Sequence, residues 1–76
     1  MKNYFFTDKR NRIHNISVDK IIRTTIDKTL SEITIYFNND FLVISLSKSP
    51  NPKGENITVE KQTFNDIVNY FSLPQH

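Results

Sequence analysis

Hydrophobic positions alternate most clearly between Ser31 and Ser47. Ile33, Ile35 and Phe37 fall on one side of an extended segment, with Thr34 and Tyr36 on the other. Asn38-Asn39-Asp40 interrupts the alternation with residues that tolerate left-handed backbone, which predicts a hairpin turn. The pattern resumes at Phe41: Leu42, Ile44 and Leu46 share one face, and Phe41, Val43, Ser45 and Ser47 share the other. Ser49 to Glu55 contains two of the three prolines and the single glycine, so it reads as a loop. Ile57 to Lys61 is a short alternating strand. Phe64, Ile67, Val68 and Phe71 then follow the i, i+3, i+4, i+7 spacing of an amphipathic helix, with Thr63 as expected cap and Asp66 in the capping-box position.

The front of the chain reads as a strand at Asn3–Thr7, a polar turn over residues 8–12 and a short return at Ile13–Ile16. Two readings compete for residues 17–30. Val18, Ile21, Ile22, Ile26, Leu30 and Ile33 fall at helical spacing, with Ser17 as a cap. The run Ile21-Ile22-Arg23-Thr24-Thr25-Ile26 is instead almost all β-branched, which suits a pleated surface. The second feature favours a bend at residues 17–20 and a strand at 21–27. The expected fold is therefore α+β: one domain over residues 1–76, an antiparallel β-meander of about five strands, and one C-terminal helix packed on one face.

A lone helix covers one side of a sheet. Tyr36, Phe41 and Val43 would line the opposite side and are the expected partner or dimer face. The N-terminal strand, with Tyr4, Phe5 and Phe6, could also fold over that side.

Charge adds a direction to this picture. Residues 1–28 carry seven basic and three acidic side chains; residues 29–76 carry three basic and five acidic ones. A basic front half suits nucleic acid or an acidic protein, or is simply a solvated surface. Candidate nucleic-acid contacts are Lys9, Arg10, Arg12, Lys48 and Lys53 as cations for phosphates, with Tyr36 for base stacking. The chain has no cysteine, so disulfides and thiolate metal sites are excluded. No apolar run approaches the ~20 residues of a membrane span. These features fit a cytoplasmic location.

Nothing marks a catalytic constellation. His14 has no second ligand at metal spacing, His76 is terminal, the aspartates are scattered, and one glycine cannot build a phosphate-cradling loop. No enzyme activity, metal or cofactor is expected.

The segments Glu32–Asn39, Leu42–Leu46, Pro52–Val59 and Thr63–Val68 together resemble the positive-cofactor-four family of small coactivator-like proteins. The resemblance covers residues 31–71. It implies a homodimer that binds single-stranded DNA, with the family's turn-flanking aromatic on Phe37 and its loop lysine on Lys53. Where the family's second strand has an arginine followed by aromatics, this chain has Ser45-Leu46-Ser47-Lys48. Residues 16–21 and 33–39 also look like the β-meander of small bacterial proteins such as LytTR-type DNA-binding domains. The alternative to nucleic acid is a protein–protein interaction module, of the kind a phage or mobile element directs at a host protein.

Overall fold

The computed structural model describes residues 2–47 and 55–72. Six strands and one helix follow in order: β1 (Asn3–Thr7), β2 (Ile13–Ser17), a 3-10 turn at Val18–Lys20, β3 (Arg23–Asp27), β4 (Glu32–Tyr36), β5 (Phe41–Ser45), β6 (Glu55–Thr58) and α1 (Lys61–Ser72). The fold is α+β, but the strands form two sheets rather than one meander. β1 and β2 make a two-stranded ribbon, and the second sheet has the order β3-β4-β5-β6.

The meander holds for β3, β4 and β5, which are antiparallel neighbours. It fails at β6, which pairs parallel to β5 with Ile57 opposite Ile44 and Thr58 opposite Ser45. The chain therefore returns to the starting end of β5 before β6 begins. This arrangement buries Ile57 beside Ile44 and delivers Val59, also fully buried, just before the helix. Side-chain alternation is the same in parallel and antiparallel strands, so the pattern of apolar residues does not record this choice.

Residues 17–30 resolve as a bend and a strand. The β-branched run wins because Thr24 and Ile26 pair with Ile35 and Ile33, and Ile26 packs against the buried cluster. Asp27 shapes the following turn by accepting the backbone N–H groups of Thr29 and Leu30, and Ser31 closes it in the left-handed region at φ 53°. The Asn38–Asp40 turn is present as expected, with the Phe37 N–H donating to the Asp40 carbonyl at 2.8 Å.

The helix starts two residues earlier than the expected cap. The Phe64 N–H donates to the Glu60 carbonyl, so Thr63 lies inside the first turn. Asp66 accepts from the Gln62 side chain at 3.0 Å instead of completing a capping box. The apolar stripe behaves as its spacing demands: Phe64 and Ile67 are buried, and Val68 and Phe71 pack against them.

Helix and ribbon share one side of the four-stranded sheet. Phe6 and Ile16 of the ribbon join Ile33, Ile35, Leu42, Ile44, Ile57, Phe64 and Ile67 in a single core. The Tyr4 ring lies 4.5 Å from Tyr70 and 5.7 Å from Phe71, fastening the ribbon to the helix. The N-terminal strand thus packs beside the helix and does not fold over Tyr36 and Phe41. No helix among the described residues is long and apolar enough to cross a membrane.

Candidate nucleic-acid interface

The face turned away from the helix is set by strand register. Arg23 pairs with Tyr36 and Tyr36 with Phe41, so the three side chains stand in one row across β3, β4 and β5. The Arg23 guanidinium lies 4.3 Å from the Tyr36 ring centroid, within cation–π range. Tyr36 and Phe41 have centroids 6.0 Å apart with a 35° tilt. Both rings are half-buried, while Arg23 is exposed. Arg23 is absent from the expected contacts. Its signal lies in the register, which is a property of paired strands and not of any local sequence window.

Val43 was expected on this open face, and there the structure corrects the reading. It is only 3% exposed, and its neighbour Ser45 is buried too. The Ser45 hydroxyl donates to the Ser47 carbonyl. Val43 is closed off within one chain. Phe37 is also displaced from the row. It packs against the core and, together with Phe41, Leu42 and residues of β2, lines a cleft of about 260 Å³. A second cleft of about 210 Å³ lies between Ile21, Arg23, Tyr70 and Phe71. Both are smaller than the roughly 300 Å³ at which ligand pockets begin.

The basic residues near the front form a separate structure. Asp8 sits at the start of the β1–β2 turn with its side chain buried, and it accepts four hydrogen bonds. The donors are the backbone N–H groups of Arg10 (2.8 Å) and Arg12 (2.9 Å), Arg12 Nε (2.9 Å) and His14 Nε2 (2.8 Å). An ionised carboxylate only accepts, so the His14 nitrogen facing it carries the proton. The other side of His14 stacks on Phe6 at 5.0 Å. The His14 hydrogen bond, followed by those from Arg12 and Arg10, holds the Asp8 carboxyl well below the usual carboxylate range, against the opposing effect of burial. Asn11 takes the left-handed backbone the turn requires, at φ 66°.

The turn leaves Lys9 and Arg10 exposed, while Arg12 is tied to Asp8. Lys9 donates its backbone N–H to the Thr58 carbonyl, placing the turn at the Ser45 end of the sheet. Phe41 is four residues back along β5, about 13 Å at roughly 3.3 Å per residue. Lys9, Arg10 and Arg12 therefore do not assemble beside Tyr36 and Phe41 as the sequence suggested. Lys48 and Lys53 lie outside the described residues.

Among the described residues no group of three histidine or acidic side chains is placed to hold a metal ion. Compared with family models, with curated proteins and with solved structures, the chain matches none.

Proposed function

We propose that this protein is a small binding module that takes single-stranded nucleic acid on the Arg23–Tyr36–Phe41 row. The observation that carries the reading is an exposed arginine over the half-buried Tyr36 ring, continued by a second half-buried aromatic, on the sheet face opposite the main core. Bases stack on such rings with about 1–3 kcal/mol each and little sequence preference. The guanidinium adds a planar donor that can stack or pair with phosphate. Lys48 and Lys53 supply further phosphate contacts in this reading, and the basic turn at Lys9 and Arg10 lengthens the path of the strand.

The test is fluorescence anisotropy of a labelled oligothymidylate across a salt series. Affinity should fall steeply as salt rises. Tyr36→Ala and Phe41→Ala should each weaken binding by about 5- to 150-fold, the equivalent of losing one stacked base. The charge reversals Lys48→Glu and Lys53→Glu should weaken it and flatten the salt dependence. Absence of binding at low salt, or unchanged affinity in both aromatic variants, removes the proposal.

A second reading has its own observation. Phe5 and Ile13 are 60% and 74% exposed and sit diagonally on the outer face of the β1–β2 ribbon. That patch suits docking on a larger protein. A partner retained after nuclease treatment, and lost with Phe5→Ser and Ile13→Ser, supports it over the first reading.

A further inference from the structure

The two edges of the four-stranded sheet are treated differently. At the β6 edge the Lys9 N–H of the ribbon turn meets the Thr58 carbonyl. At the β3 edge no strand follows among the described residues. An edge strand offers a row of backbone donors and acceptors to any matching strand. Proteins usually protect such rows with proline, charged side chains, a bulge or a cover. β3 reads Arg23-Thr24-Thr25-Ile26-Asp27: it has no proline, its charges stand only at its two ends, and its middle is entirely β-branched.

Its charges are symmetric about Thr25. Arg23 stands two residues before and Asp27 two residues after, and alternation puts all three on the face of the Tyr36 row. A second copy laid antiparallel with Thr25 on the two-fold axis places each Arg23 opposite Asp27 of the other copy. Thr24 then faces Ile26 of the copy on the core side.

A second observation points the same way. Asp27 is directly opposite Glu32 in the β3–β4 register, two like charges on one face. Opposed like charges destabilise a sheet. No cation among the described residues forms an ion pair with either. Arg23 of a second copy arrives beside this acidic pair.

We infer that the chain forms a homodimer by antiparallel pairing of β3 with β3 of a second copy, centred on Thr25. The two sheets become one of eight strands, and the two-fold axis consumes both β3 edges, so growth stops at two. The interface takes the place of the dimer face expected at Tyr36, Phe41 and Val43. It shares Arg23 with the proposed nucleic-acid row but needs no nucleic acid, so the oligomeric state of the nucleic-acid-free protein reads it separately.

The full chain has a mass of 9.0 kDa, so sedimentation equilibrium over a concentration series should resolve a species of twice that mass. Arg23→Asp and Asp27→Arg should each move the monomer–dimer midpoint to concentrations at least about tenfold higher, because two attractions become two repulsions. The combined charge swap should restore the dimer, which also shows that loss in the single variants is not misfolding. The chain has no cysteine, so Thr25→Cys introduces one thiol, at the axis. Directly opposed residues of an antiparallel pair are about 4.5–5.5 Å apart, within disulfide reach. Copper-phenanthroline oxidation should therefore cross-link Thr25→Cys chains, and should leave Phe5→Cys chains single at the same concentration. A 9.0 kDa mass at every concentration, a dimer unaffected by either single reversal, or failure of the Thr25→Cys cross-link overturns the inference.

Discussion

Ile44 is where the two kinds of strand pairing meet. It stands opposite Ile33 of antiparallel β4 and opposite Ile57 of parallel β6, with 0% of its surface exposed. Ile44→Val and Ile57→Val each remove one methylene from a filled site, at a cost of about 0.5–1.5 kcal/mol. A chain of 76 residues has a total stability on the order of 4–11 kcal/mol at roughly 0.05–0.15 kcal/mol per residue, so both variants and their combination stay folded. Ile44→Ala, at about 2–5 kcal/mol, approaches the whole margin and makes a poor probe. Neighbours in register share the space left by truncation, so the double variant should depart from additivity by about 0.5 kcal/mol or more. Ile57→Val with Ile26→Val is the control. Those residues are three strands apart, about 14 Å at roughly 4.8 Å per strand, and should add. Urea unfolding followed by circular dichroism gives each value, and thermal midpoints should move by about 4–8 °C per kcal/mol. A cycle that closes to zero for Ile44 and Ile57 would falsify the parallel register, and with it the reason Val59 enters the core just before the helix.

Asp8 makes stability sensitive to acid. Its folded pKa lies far below the unfolded value of about 3.9, so its contribution is complete above that value and is lost as pH falls from there toward the folded one. Thermal melts of wild type should steepen in their pH dependence below about pH 4, and Asp8→Asn should flatten that slope and lower the midpoint at neutral pH. Tyr4 gives the opposite sign. Burial, then the nearby charge of Asp66, then Tyr70 raise its phenol, so the benefit of keeping it neutral is complete below about pH 10 and is lost as pH rises through the folded value. An alkaline absorbance titration should lose its late component in Tyr4→Phe. Ser31→Gly should raise stability by up to about 1 kcal/mol, because the left-handed backbone at this turn costs a β-carbon more than glycine's extra unfolded-state entropy; a lower melting midpoint would contradict the turn geometry.

Much of the second half is legible from spacing because its structure is local. Ile33 to Ser45 forms a hairpin through a short polar turn, and Phe64 to Phe71 presents one stripe whatever it packs against. The β-branched residues before Asp27 decide strand over helix on the same local grounds, through side-chain rotamer freedom. The candidate site was half legible. Alternation put Tyr36 and Phe41 side by side, whereas Arg23 reaches them only through pairing with a strand nine residues away from it. Asp8 gave no signal either: four donors from Arg10, Arg12 and His14 converge on it only when the turn closes.

On its own, then, the order of residues determined which side chains share a face and where extended chain gives way to turn or helix. Those properties depend on backbone geometry over a few residues. The direction of β6, the seating of the β1–β2 ribbon beside the helix, the closure of Val43 and the separation of the basic turn from the aromatic row were decided in three dimensions. Each depends on which surfaces meet after the chain has doubled back, and a periodic pattern carries no information about its neighbour.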